Sequence, residues 1–486
     1  MSFPYWGESP GEPWTHQRAE TEDYWDAPSR ALLWQQRTGK TRAAIDAACA
    51  WHVAKGLRTV IVVAPNGVHT NWVRKQLPKH CWVPYAAHAW SSRRAGTASH
   101  GREVDAALGA RGLCFLAIGK ESLLSKRVQA AIRAALKRGP CALFVDEVHH
   151  FRTPGAKRVK LARGLSKKCV MRRTLTGTAS GNSPLGLFAQ FELLHPGALG
   201  FARYTGGDGF EARYAVIGEG YDPRSGRRFK QIEGYQRLEE LMGRVARWSS
   251  VVRREDCEDL PEILVSEQAY EPSALQAQAY ESLRRDYAAE LQSGGYVEAV
   301  DSGTRLLRLQ QILSNFAVND AYELETVDPA QDPRLDALEE AVDGPTIVWC
   351  RFRECIRRAG ERLRARGLAV VEYHGGVRDE ERAEAEDAFQ SGQADVFLGQ
   401  PACAGEGLDL SAGKTIVWYS HVFDVVVRDQ ASERATEVGG NRVSVVDIVA
   451  PGSVDDYILS NLSKKRSVAE QVTGSELKEI LEQCRA

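Results

Sequence analysis

ALLWQQRTGKTRAAIDAACAWHVAKG, residues 31–56, decides how this chain folds. Residues 31–34 are a short apolar run that reads as a strand. Residues 41–54 carry a helical pattern, closed by Gly56, a residue suited to the left-handed position after a helix. Between them stands RTGKT, residues 37–41. A strand that enters a helix through a glycine loop aims backbone N–H groups and the positive end of the helix dipole at one spot, which cradles phosphates. Thr38, Gly39, Lys40 and Thr41 are therefore the candidate phosphate-binding residues. The Lys40 ammonium would bridge phosphates and the Thr41 hydroxyl would hold Mg²⁺. The full P-loop spacing asks for glycine at position 34, where Trp34 stands, so this stretch alone also fits a chance Gly-Lys-Thr turn.

Working outward, TVIVVAP (59–65), GLCFLAI (112–118), CALFVDE (141–147) and residues 174–178 repeat the alternation of apolar strand and helical pattern. Strands that are apolar along their whole length suit a parallel sheet covered on both faces. A second series follows, with TIVWC (346–350), LAVVEYH (368–374), ADVFLGQ (394–400), KTIVWYS (414–420) and VSVVDIV (443–449). The reading is an α/β protein with an N-terminal lobe over 1–190 and a C-terminal lobe over 331–475, followed by a tail over 476–486. Between the lobes, residues 191–330 read as a helical insertion and linker, because amphipathic patterns such as ALQAQAYESLRRDYAAEL replace the β alternation. Residues 214–235 carry two strand-like arms around a Pro/Gly turn, either a projecting hairpin or an ordered loop.

A length of 486 residues exceeds what one hydrophobic core usually supports, which agrees with two lobes. Hydrophobic residues make up 43% and charged residues 26%, a mixture that excludes disordered and fibrous classes. The 63 basic and 64 acidic side chains nearly cancel, so overall charge leaves a polyanionic partner open. From residue 152 to 173, however, there are nine Lys or Arg and no acidic residue. Lys157, Arg158 and Lys160 there are candidate nucleic-acid contacts, or simply a solvated helix face. The start lacks the basic and apolar regions of a signal peptide and no run of about 18 apolar residues occurs, which predicts a cytoplasmic protein with no membrane partner. Ten cysteines without a CxxC pair or a Cys/His cluster at ligand spacing predict no zinc site and no disulfides.

Asp146 and Glu147 end the run CALFV, which puts them at a strand's carboxyl end, where such sheets bind ligands. Asp146 can join an Mg²⁺ shell while Glu147 orients and deprotonates an attacking water, the division of labour that phosphoanhydride hydrolysis requires.

The motifs now form an ordered set: Gln17, RTGKT, APNGVHTNW (64–72), DEVHH (146–150) followed by FRTPGAKRVK, and TGT (176–178). The second lobe adds TIVWCRF, YHGGV before Arg382 and Phe389, ACAGEGLDLSAG (402–413) and QASERATEVGG (430–440). From about residue 14 to 474 the chain resembles the superfamily 2 helicases, and within them compact bacterial or phage forms of the Swi/Snf-type double-stranded DNA translocases. The resemblance implies two RecA-like (P-loop NTPase) lobes and a DNA-dependent ATPase that uses ATP and Mg²⁺ to move on double-stranded or branched DNA. It implies that Gln17 meets adenine, that His149, Thr176 and Thr178 couple nucleotide to substrate, and that Gly405, Gly407, Asp409 and Gln430 lie near the interlobe nucleotide. Trp72 either belongs to this machinery or packs as core. The family's last motif carries two arginines after its glutamine, whereas this chain has Gln430, Arg434 and Glu437. Arg434 is then the remaining candidate for the cation that meets the γ-phosphate. An acidic finger position also leaves room for an ATP-gated nucleic-acid-binding protein with negligible turnover.

Overall fold

Long β-branched and aliphatic runs become the strands of two parallel sheets. The computed structural model describes residues 3–4, 11–177, 183–222, 227–253, 256–257, 263–292, 299–318, 323–403, 408–435 and 442–473. Thr178, Gly405, Gly407 and Glu437 lie outside the described residues.

The first sheet takes strands β1 (Ser29–Trp34), β2 (Thr59–Ala64), β3 (Tyr85–Ala89), β4 (Leu113–Gly119), β5 (Cys141–Asp146) and β6 (Met171–Leu175). After β7 (Ala215–Asp222) and β8 (Arg227–Tyr235), which pair with each other in a small sheet, β9 (Ser249–Val252) completes it. The order is β3-β4-β2-β5-β6-β1-β9, with every neighbouring pair parallel. β1, β2, β4 and β5 are buried at every position. One face sets Ile61, Val63, Leu116, Ile118, Leu143 and Val145 in a core with Trp90, Val128 and Phe151. Near β1, Ala31 and Leu33 pack with Phe188, Phe191 and Phe210. Because β5, β6 and β1 are adjacent, the segments leaving their carboxyl ends meet, and these are Glu147, residues 176–177 and residues 35–39.

The second sheet is β10 (Ile263–Ala269), β13 (Thr346–Trp349), β14 (Val370–Tyr373), β15 (Val396–Gly399), β16 (Thr415–Trp418) and β17 (Val443–Val449), in the parallel order β10-β17-β16-β13-β15-β14. A short antiparallel pair, β11 (Phe316–Val318) with β12 (Leu324–Thr326), lies earlier in the same half. Its core holds an ion pair: Arg334 and Asp455 are fully buried at 3.0 Å, and Arg334 also donates to Ile448 O and lies over the Tyr270 and Tyr419 rings. Removing either partner would leave a charge without compensation, which makes the pair a strong constraint on this packing.

By contacts the chain divides into two units. One holds Met1–Ile217 and Ile232–Glu258, the other Asp259–Arg466. Residues 191–330 do contain the helices Phe210–Tyr214, Leu238–Ala246, Ala274–Gln292 and Ala299–Leu313, but they also supply β9 to the first sheet and β10 to the second. The expected boundaries at 190 and 331 therefore differ from those of the sheets. Both strands are sheet edges, and β10 is mostly solvent-facing, so neither has the apolar run of a central strand. The sixth strand lies three residues earlier than expected. Its Arg173 is buried and donates to the carbonyls of Tyr24, Trp25 and Ala27, so a charged residue hides a strand position. Among the described residues no helix is long and apolar enough to cross a membrane, and nine cysteines are free, seven of them buried.

Candidate nucleotide site

Trp34 ends β1 as a fully buried side chain whose Nε1 donates to Ser250 Oγ of β9, which explains an indole where a P-loop glycine is usual. The loop that follows turns at Arg37, whose φ of 65° is left-handed and costs a non-glycine residue about 1 kcal/mol or more. It closes at Gly39, φ 78°, the residue capping α2 (Lys40–Lys55). Gly39 is needed twice over. Beyond its φ, a Cβ there would stand 1.9 Å from Gln17 Nε2. Gln17, on α1 (Thr15–Tyr24), is buried and donates weakly to Thr38 O and Gly39 O, while His16 Nε2 lies 2.7 Å from Thr38 O. The loop's first residue is held too, since Gln35 N donates to Val252 O at the end of β9. His16 Nδ1 in turn lies 3.9 Å from Cys257 Sγ, just beyond that strand.

Lys40 opens α2 yet is only 7% exposed. Its ammonium lies 3.8 Å from Glu147 Oε1 and donates to Gln36 Oε1, and Gln36 Nε2 donates to the same Glu147 oxygen at 2.7 Å. Glu147 is 4% exposed and left-handed at φ 47°, a strained backbone that turns its side chain back toward the loop after β1. Its other oxygen accepts from Thr176 Oγ1 at 3.4 Å and lies 3.3 Å from His149 Nδ1, and His149 and Thr176 are 3.0 Å apart. Burial alone would raise the Glu147 carboxyl. The Lys40 charge, with hydrogen bonds from His149 and Gln36, outweighs it and holds the group well below the usual carboxylate range. A Cβ on Gly177 would lie 3.1 Å from Gln36 N, so the glycine of TGT lets the loop after β6 close on the loop after β1.

Asp146, at the end of β5, accepts from Trp72 Nε1 at 2.8 Å, with both residues buried. Trp72 is core, but its polar edge fixes a candidate metal carboxylate. The APxxxxxNW signature was the signal for that link; the role of Gln36 had none, because it stands in the loop before the Gly-Lys-Thr and outside the motif. Thr41 sits half-buried in the first turn of α2.

In the second unit, Gln430 lies on the helix Val425–Ser432 and Arg434 in the turn after it. Arg434 is 8% exposed, its Nη1 donates to Leu408 O, and its own carbonyl accepts from Leu410 N. Asp409 N donates to Glu386, and the Asp409 carboxylate accepts from Ser411 N. The basic run separates into two sets. On the helix Lys157–Ser166, Lys157 and Lys160 are exposed, whereas Arg158 donates to His150 O and lies 3.7 Å from Glu121. Arg163 pairs with buried Glu192.

Residues 333–439 match the helicase conserved C-terminal domain. The chain is 24% identical over 427 residues to YwqA of Bacillus subtilis (strain 168), provisionally named an ATP-dependent helicase/translocase, in an alignment covering 86% of this chain and 43% of that protein. The chain is therefore similar to proteins named as ATP-dependent helicases, and part of its second half matches a helicase domain. It is also 23% identical over 370 residues to the DNA annealing helicase and endonuclease ZRANB3 of Bos taurus, covering 73% of this chain and 31% of that one. It thus spans less than half the length of these relatives. The solved Sulfolobus solfataricus SWI2/SNF2 ATPase core in complex with dsDNA aligns over 99% of this chain and 97% of that one, at 19% identity and a TM-score of 0.43. The two parallel sheets themselves carry the α/β, two-lobe assignment.

Proposed function

We propose that this chain is an ATP-driven motor on DNA, hydrolysing ATP with Mg²⁺ at the Lys40–Glu147 site and moving along double-stranded or branched DNA. The observation that carries this reading is one polar network of buried Lys40, Glu147, His149 and Thr176, joined by half-buried Gln36, at the ends of three adjacent parallel strands. A polyphosphate suits it, because it joins the start of a 16-residue helix, a buried ammonium and a half-buried hydroxyl on one loop. Thr41 and Asp146, the latter fixed by Trp72, would hold Mg²⁺, whose charge would offset that of the phosphates.

Lys40 and Glu147 then act in sequence. An ammonium drawn to phosphate oxygens leaves Glu147 with burial less opposed, which raises its proton affinity. Substrate thereby strengthens the base that takes the proton from water. Gln36 and Thr176 hold the two carboxylate oxygens in place for that transfer. His149 and Thr176 link the same carboxylate to the loops after β5 and β6, which suits them to coupling. Gln17 on the Thr38 and Gly39 carbonyls suits adenine recognition that is felt in the phosphate loop. Arg434 is the proposed cation for the γ-phosphate in the active state, and Lys157 and Lys160 are the proposed DNA contacts. The proposed setting is the cytoplasm, whose reducing conditions suit free thiols.

Steady-state ATP hydrolysis measured with duplex, forked and single-stranded DNA and with RNA tests the reading, together with displacement of a third strand from duplex DNA. Duplex or forked DNA should stimulate turnover most. ATP binding without turnover on any nucleic acid would replace the motor with a nucleotide-gated binding protein.

A further inference from the structure

β3 and the helix Ala98–Gly109 bring together three side chains that the nucleotide chemistry leaves unused. His88 on β3, with His100 and Glu103 on the helix, each offer a ligand atom, and all three atoms lie within 4.8 Å of one another. His100 is 1% exposed, and neither of its ring nitrogens has a hydrogen-bond partner. His88 Nε2 is likewise buried and unpartnered. Buried polar atoms normally find partners, so three orphaned imidazole nitrogens in one cluster ask for one. The rings meet each other edge to face at 4.8 Å, and Trp90 closes the other side of His100 at the same distance, contacts that satisfy neither lone pairs nor N–H groups. Burial first, then positive neighbours including Arg94, lowers the pKa of both histidines and favours the neutral ligand form.

We propose that His88, His100 and Glu103 bind a divalent first-row transition ion, with Zn²⁺ as the fitting probe. Two imidazoles and one carboxylate are borderline ligands of the kind zinc takes, and a three-residue set leaves a fourth position for water. Zinc bonds of about 2.0–2.2 Å put ligand atoms roughly 3.4 Å apart in a tetrahedron, so the cluster closes by side-chain rotation of about an ångström. Glu103 accepts from Arg94 and from Ser99 Oγ. Arg94 is about half exposed and can leave to solvent when the ion takes the carboxylate. The ion would clip β3, the outermost strand at one edge of the first sheet, to the helix that follows it. Positions 88, 100 and 103 match no ligand spacing in the sequence, which is why the expectation of no zinc site and the folded cluster point in different directions.

The full chain, stripped by chelation, is titrated with Zn²⁺ by calorimetry and with Co²⁺ by visible absorption. One ion per chain, four-coordinate cobalt bands without thiolate charge transfer, and a higher melting temperature with zinc are expected. Glu103→Gln should weaken zinc binding by about tenfold or more, since even residues behind a ligand cost 10–100-fold. The melting temperature of the ion-free variant should stay that of wild type, because only a surface pair is lost. The variant carrying both His88→Ala and His100→Ala should bind none. The proposal is overturned by absence of uptake, by unchanged affinity in both variants, or by a thiolate cobalt spectrum, which would direct the ion to Cys49 and Cys81 at 3.5 Å.

Discussion

Lys40→Ala is expected to damage stability as well as hydrolysis, because the ammonium is buried against Glu147 rather than waiting on an open loop. At 3.8 Å the pair's mutual attraction is about 4 kcal/mol at an effective dielectric near 20. Gln36, His149 and Thr176 remain on the carboxylate in the variant, so a loss of about 3 kcal/mol, the low end for breaking a buried pair, is the expected cost at pH 7. The pH dependence has a definite sign. The folded Glu147 carboxyl lies below its ordinary value of 4.5, so its contribution is complete above that pH and lost as pH falls toward the folded value. Without Lys40, burial pushes the carboxyl up and that contribution shrinks or reverses. The gap between wild type and variant should therefore be widest at pH 7 and narrow toward pH 4. Urea unfolding at both pH values measures it, with Glu147→Gln and the double variant completing a cycle. A double variant more stable than additivity predicts, by about 1 kcal/mol or more, is expected. Equal stability of Lys40→Ala and wild type at pH 7, or strict additivity, would refute the coupling.

Glu147→Gln should keep ATP binding and lose about 10² to 10⁴ in turnover, read by single-turnover hydrolysis beside a binding titration; failure to bind ATP would give the residue a structural role instead. Trp72→Phe deletes the donor to Asp146 and should raise the Mg²⁺ concentration needed for half-maximal hydrolysis while leaving ATP binding without metal unchanged, so an unshifted Mg²⁺ curve counts against the metal assignment. Arg434→Ala should cut turnover by about 10³ to 10⁵. Since Arg434 also holds Leu408 O, Arg434→Lys serves as the control: lost turnover with a wild-type melting curve is expected, and near-wild-type turnover in either variant would send the search to another cation. Neutralising Lys157 and Lys160 should flatten the salt dependence of DNA binding, with a slope change near 2 in a plot of log affinity against log salt, whereas an unchanged slope would return them to the solvated surface.

The central strands were legible because burial on both faces makes a parallel strand apolar throughout, as in CALFV, and because Gly39 and Gly56 mark where α2 starts and stops. Edge strands lack that signature. β3 reads YAAHA and β9 reads SSVV, so the first sheet looked narrower than it is, and His88 could not be set beside His100 before β3 was known. In β6, Arg172 and Arg173 serve backbone carbonyls, which inverts the usual meaning of charge in a strand. Of the motif residues, Lys40, Glu147, His149 and Thr176 come together in one polar network. Their partners were silent: Gln36 contacts Glu147 and His16 contacts the loop at distances that only folding creates, and the left-handed turn falls at Arg37 while Trp34 is buried.

The two attachments of the loop between β1 and α2 have a mechanical meaning. The strand that leaves the first unit, β9, is bonded to the loop's first residue through Val252 O and Gln35 N, and five residues later Cys257 touches His16, which holds Thr38 O. A shift of this loop would therefore be felt at once by the end of β9 and by Cys257, from which only one or two non-covalent links separate it.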